Sequence, residues 1–141
     1  MKKILFVEDT GSVFEMLKKQ LDVSSYEIVR TRAVDEAIGA TEEEGPFDCY
    51  VVDLQILSFG LSLNLMAKYK NREGYAFIKE YLWKDKSEEQ ITELKSRIII
   101  CSRYILGLKK EYRDEIKGMH MVDKAKGFEK VVASIINNIC K

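Results

Sequence analysis

The sequence predicts an α/β protein built on a doubly wound, five-stranded parallel sheet in (βα)5 order. Two observations predict it. The spacing of apolar residues switches repeatedly between a period of two and a period near 3.6, which marks strands alternating with helices. The first, third and fourth apolar runs carry hydrophobic residues on both faces, as strands covered by helices on each side must.

The first strand is Ile4 to Val7. A helix follows with Val13, Met16, Leu17 and Leu21 on one face; Gly11 lets the chain turn sharply out of the strand, and Ser12 with Glu15 reads as a capping box. Tyr26 to Val29 is the second strand. The second helix shows Val34, Ala37, Ile38 and Thr41 at helical spacing and ends in the acidic run Glu42 to Glu44, a solvated end ahead of Gly45 and Pro46. Cys49 to Val52 is the third strand, and the third helix begins near Gly74 with Phe77, Ile78, Tyr81 and Leu82. Ile98 to Cys101 is the fourth strand and Met119 to Val122 a weaker fifth. The last segment, with Phe128, Val131, Val132, Ile135, Ile136 and Ile139, is the clearest amphipathic helix.

Two stretches exceed a minimal βα repeat and read as insertions, near 56–73 and 84–96. The first mixes Leu61, Leu63, Leu65 and Met66 with Lys68, Lys70 and Arg72, a pattern that suits a short amphipathic helix; it reads as a packed surface loop or as a partner-binding flap. Tyr75, Tyr81 and Trp83 read as packing residues, because a nucleic-acid platform needs a basic stripe beside its aromatics.

Composition narrows the functions. The 141 residues, 46% hydrophobic and 33% charged, make one ordinary domain. Lys plus Arg number 23 and Asp plus Glu 23, so no global field would hold the chain on nucleic acid or an anionic membrane. The uncharged runs are too short to span a bilayer, and MKKILFVED meets acid before a signal-peptide core forms, so a cytoplasmic location is expected. Cys49, Cys101 and Cys140 lack metal spacing and an even count; neither a disulfide framework nor a zinc site is expected. The only histidine, His120, lies within a strand without a Ser or Cys partner at telling spacing, and reads as structural or surface. No GxGxxG or GKS/GKT follows a strand, which disfavours nucleotide binding.

In doubly wound sheets ligands collect at the carboxyl ends of the strands. Strand one ends in Glu8 and Asp9, strand three in Asp53, strand four in Ser102, and strand five in Asp123 and Lys124. Carboxylates from neighbouring strands cannot sit close together unless a cation neutralises them or their pKa values rise. Hard oxygen ligands that leave room for water and phosphate favour Mg²⁺. A carboxylate beside such a metal could take a phosphoryl group as an aspartyl phosphate, with a lysine pairing to the anion and a hydroxyl bonding a phosphoryl oxygen.

ILFVED, YVVDLQ, IIICS and MVDKA together resemble the receiver domain of two-component response regulators, a flavodoxin-like fold, and the resemblance covers the whole chain. It implies Glu8 and Asp9 as Mg²⁺ ligands, Asp53 as the phosphoacceptor and a further ligand, and Gln55 giving its main-chain carbonyl to the metal. It also implies Ser102 as the phosphate-binding hydroxyl and Lys124 as the salt-bridging lysine. The 44 residues from Asp9 to Asp53 and the 22 from Ser102 to Lys124 look like the family pattern, whereas the 49 from Asp53 to Ser102 are longer, the excess falling in the two insertions.

The chain departs from the family in several places. Ala125 stands where proline usually follows the lysine, so no cis peptide is expected there. Lys126 could compete with Lys124. Arg103 replaces a small residue and could lie over the acidic cluster and pair with it. Met121 replaces an aromatic switch residue, and QILSFG occupies the place of the DxxMPxxxG loop.

The resemblance implies a stand-alone receiver that takes phosphate from a histidine kinase or phosphotransfer protein at Asp53, assists its own phosphorylation and dephosphorylation, and is not otherwise an enzyme. Its signal would leave through an effector protein or through dimerisation, unless the chain is an excised fragment. A degenerate receiver binding partners constitutively is the alternative. A phosphohydrolase of the haloacid dehalogenase type is a third, disfavoured because Gln55 stands where its second acid belongs.

Overall fold

The computed structural model describes residues 1–141 and contains five strands: β1 (Lys2–Val7), β2 (Tyr26–Thr31), β3 (Cys49–Val52), β4 (Ile98–Ser102) and β5 (His120–Asp123). They form one parallel sheet in the order β2-β1-β3-β4-β5. The helices are α1 (Gly11–Lys19), α2 (Val34–Glu44), α3 (Leu63–Lys68), α4 (Glu73–Phe77), α5 (Glu88–Lys95), α6 (Ile105–Glu111) and α7 (Phe128–Ile139), with α4 running on into a π-helical turn over Ile78–Leu82. No helix is long and apolar enough to cross a membrane.

Alternation along the strands builds two cores. Ile4, Phe6, Val51 and Ile99 point to one face and meet Phe14 and Leu17 of α1 and Val132 and Ile136 of α7. Leu5, Val7, Val52 and Ile100 point to the other, against Ala37 of α2, Phe77 of α4 and Leu108 of α6. Each such side chain contributes roughly 1.5–3 kcal/mol on burial, and a one-residue slip would exchange the faces, so the pattern fixes the register.

The strands extend past several expected limits. β2 runs on to Thr31, which is buried and donates its hydroxyl to the Phe6 carbonyl at 3.3 Å, and β5 covers His120–Asp123 rather than starting at Met119. The capping box expected at Ser12 and Glu15 is absent. The Glu8 carboxylate takes the Thr10 N–H at 3.2 Å, the helix starts at Gly11 with Thr10 as its cap residue, and Ser12 falls inside the first turn. A capping box does form at α5, where Ser87 Oγ accepts the Gln90 N–H at 3.2 Å and Gln90 Oε1 accepts the Ser87 N–H at 2.9 Å.

Residues 56–73 contain α3, capped by Ser62, and are anchored by the buried Leu61 and Tyr69, while Phe59 and Leu63 stay exposed. Residues 84–96 contain α5. Tyr75 is buried against Tyr69, Tyr112 and Trp83, the packing role expected of it; Tyr69 donates its hydroxyl to Glu80 at 2.6 Å and Tyr75 to Glu115 at 3.0 Å. His120 places Nε2 3.1 Å from the Ser96 carbonyl. The three cysteines are free; burial pushes the Cys101 thiol up to about 12 and that of Cys49 higher still.

Candidate functional site

In the sheet β1 lies between β2 and β3, so the chain leaves β1 towards one side and the loop after β3 turns to the other. Such a reversal opens a crevice at the carboxyl edge. Main-chain bonds set its walls: Asp53 donates its N–H to Val7, Glu8 to Thr31, and Lys124 to Ser102, at 2.9, 2.9 and 3.1 Å. The crevice is a cavity of about 530 Å³ whose lining includes Asp9, Asp53, Gln55, Ser102, Arg103 and Lys124.

The structure brings the strand-end residues together. Glu8, Asp9 and Asp53 have carboxylate oxygens within 4.8 Å of one another. Lys124 Nζ donates to Glu8 Oε1 at 2.6 Å and to Asp53 Oδ2 at 3.0 Å. Glu8 is 3% exposed, Asp53 8% and Ser102 0%, while Asp9 lies open to solvent. Ser102 Oγ accepts the Tyr104 N–H at 3.1 Å, which leaves its own O–H free to donate. Gln55 borders the cavity, its side-chain amide donating to Asn71 Oδ1 at 3.3 Å.

Four departures resolve in the geometry. Lys124, not the exposed Lys126, enters the site, and the Lys124–Ala125 peptide is trans. Arg103 does not pair with the acids as its place in the sequence suggested it could: it stands exposed at the rim, and both ion pairs in the cluster come from Lys124. Met121 is half-buried and packs against the core that includes Ile100 and Leu108 of α6, on the opposite face of the sheet from Val122 and α7.

Two residues were given no part in the site from the sequence, which placed Gly74 only at the start of the third helix. Glu73 also lines the cavity, nearly buried, accepting the Asn71 N–H at 2.8 Å; burial pushes its carboxyl up. Gly74 sits against the Asp53 carbonyl, where an added Cβ would come within 2.9 Å of both the Asp53 carbonyl carbon and Val52 Cγ1. A glycine thus stands against the Asp53 main chain, twenty-one residues on in the sequence.

Electrostatics follow from burial. When all are ionised, three carboxylates and one ammonium leave two negative charges uncompensated. Burial, then the charge of Asp53, raises Glu8 from an ordinary 4.5 to about 7, against the opposing bond and charge of Lys124. Burial pulls Lys124 down, but the charge of Asp53 and the bond and charge of Glu8 outweigh it and hold the ammonium above its ordinary value. Between 4.5 and about 7 the folded chain therefore keeps a proton on Glu8 that the unfolded chain releases. Stability should fall as the pH rises through that window and level off above it. Urea unfolding in chelator at both ends of the window checks this: wild type should be weaker at the upper end, and Glu8→Gln should lose most of the slope. A wild-type stability that rises with pH would contradict it.

No family model matches the chain, and no curated protein matches it in sequence. Solved structures do. The chain superposes on a sensor protein from Polaromonas sp. JS666 with a TM-score of 0.67 at 14% identity, covering 98% of this chain and 94% of that one. The chemotaxis response regulator CheY4 of Vibrio cholerae gives 0.65 at 18% identity, covering 99% and 98%. The Mn(2+)-bound form of response regulator Rcp1 gives 0.62 at 15% identity, covering 97% and 91%. The fold is that of CheY-like response regulator receiver domains.

Proposed function

We infer that this chain is a phosphoacceptor receiver that takes a phosphoryl group onto Asp53 and changes partner binding in response. The observation that carries this reading is the nearly buried Asp53 carboxylate, bonded to Lys124 and within 4.8 Å of two further carboxylates at the sheet's carboxyl edge. The receiver fold supports it, and the two extra helices, α3 and α5, are read as insertions into a single receiver domain.

The residues suit a divalent cation. Their donors are hard oxygens, and two uncompensated negative charges match a double positive charge. Glu8, Asp9, Asp53 and the Gln55 main-chain carbonyl would hold Mg²⁺, which supplies positive charge against the phosphoryl oxygens. A receiver-fold neighbour, Rcp1, is known in a Mn(2+)-bound form.

The chain's own groups have distinct parts in the transfer. An Asp53 carboxylate oxygen attacks phosphorus; the bond from phosphorus to the donor breaks, and its electron pair leaves with the donor's imidazole nitrogen or, for a small donor, its oxygen. Lys124 pairs with the new phosphoryl anion, and Ser102 donates its free O–H to a phosphoryl oxygen. The donor is a histidine kinase or phosphotransfer protein, the acceptor of the signal an effector protein or a second copy of the chain, and the setting the cytoplasm.

Intact mass after incubation with acetyl phosphate tests the reading. One added phosphoryl group is expected with Mg²⁺, little without it, and none in Asp53→Asn. Wild-type protein that gains no mass would overturn this function and leave a constitutive binding module; equal gain in Asp53→Asn would overturn the assignment of the acceptor.

A further inference from the structure

Arg30, in β2, reaches over the end of β1. Its guanidinium lies 5.2 Å above the Phe14 ring and beside Gly11, where an added Cβ would stand 3.8 Å from Nη2. From there Nε donates to the main-chain carbonyl of Glu8 and Nη2 to that of Asp9, each at 3.3 Å. A planar fork can serve two successive carbonyls at once, which an ammonium on a flexible stem cannot do with the same fixed geometry.

The two acids are held differently. Glu8 is fixed at both oxygens, Oε1 by Lys124 and Oε2 by the Thr10 N–H. Asp9 is exposed, and its carboxylate receives only a 3.5 Å contact from the Thr10 hydroxyl, so its direction depends on how firmly its backbone is held.

We propose that Arg30 is a positioning residue that clamps the Glu8–Asp9 backbone and so keeps the Asp9 carboxylate aimed at Asp53, ready for a divalent cation. This rests on the reading of the acidic cluster as a cation site. Two consequences of losing Arg30 have opposite signs. Removing a positive charge near the acids would favour a cation. Removing the clamp would free Asp9 and weaken binding, as the loss of an outer-shell partner commonly does by about 10–100-fold.

The test is Mg²⁺ titration calorimetry on the full chain as wild type, Arg30→Lys and Arg30→Met, with amide exchange at Thr10 and Gly11 measured without metal. Both variants should bind Mg²⁺ about tenfold more weakly or worse, and exchange at the two amides should quicken. Arg30→Lys should not restore binding, although it keeps the charge. A residue that only stabilised the fold would lower the urea midpoint and leave the Mg²⁺ constant of the folded protein unchanged. Unchanged or tighter Mg²⁺ binding in the variants, or unchanged amide exchange, overturns the clamp. Wild-type protein that takes up no Mg²⁺ overturns the cation reading itself, and that failure is visible before any variant is made.

Discussion

Lys124→Met should destabilise the metal-free protein by about 3 kcal/mol above the Glu8 titration window and by much less below it. The methionine keeps the length of the apolar stem, so packing changes little and charge dominates. The Lys124 side chain is 8% exposed and bonds two carboxylates that are themselves buried. Without it, Glu8 and Asp53 face each other with only the Thr10 amide on Glu8 to offset them. Breaking a buried pair by removing one partner is costly because the remaining charge stays desolvated. Protonation offers a way out, which is why the cost must depend on pH: Lys124 holds Glu8 below the value that burial alone would impose, so its loss should move the Glu8 titration upward. Urea unfolding of both proteins in chelator, above and below the window, reads the difference. Added Mg²⁺ should recover part of the loss by replacing the missing positive charge. A loss that is the same at both pH values would show that Lys124 acts through packing.

The same electrostatics explain why so much of the site could be read without coordinates. A strand buried on both faces cannot end in a carboxylate cheaply, so Asp53 after Cys49–Val52 announces a partner, and the parallel sheet brings every such strand end to one edge. Glu8, Asp9, Ser102 and Lys124 follow from that logic, because each stands at the end of an apolar strand. What stayed hidden depends on contacts distant in sequence. Arg30 looks like any strand arginine until β2 is paired with β1 and its side chain is found on the next loop. Ser12 and Ser87 carry the same three-residue signature, yet only Ser87 caps, because α1 begins at Gly11 and leaves Ser12 inside its first turn whereas Ser87 stands just before α5. Arg103 sits next to Ser102 in sequence, but the turn into α6 leaves it at the rim. Adjacency in the chain does not fix the direction of a loop side chain.

Gly74 offers the sharpest test of how the loop after β3 is fitted to Asp53, provided it is compared with Gly39. Both glycines lie in helices, α4 and α2, where alanine is intrinsically preferred by roughly 1 kcal/mol. Their surroundings differ. Around Gly39 an added Cβ meets nothing within 4 Å, so Gly39→Ala should stabilise the protein by about 0.5–1 kcal/mol. At Gly74 the Cβ would press into the main chain of Asp53 and come within 2.9 Å of Val52 Cγ1. Neither neighbour can yield easily: Asp53 donates its N–H to Val7 at 2.9 Å, Val52 is fully buried, and Gly74 itself donates to the Leu54 carbonyl at 2.8 Å. Overpacking against rigid backbone costs about 1–3 kcal/mol or more, which exceeds the helix preference. Gly74→Ala should therefore lower stability where Gly39→Ala raises it, and urea unfolding of the two variants gives the opposite signs directly. The backbone that must move carries Asp53, so the clash also has a chemical consequence. Folded Gly74→Ala protein should react with acetyl phosphate more slowly than wild type, while Gly39→Ala keeps the wild-type rate. If both substitutions stabilise the protein, α4 stands further from Asp53 than the carbonyl contact requires; if Gly74→Ala is weakened but reacts at the wild-type rate, the strain is absorbed in α4 and never reaches Asp53.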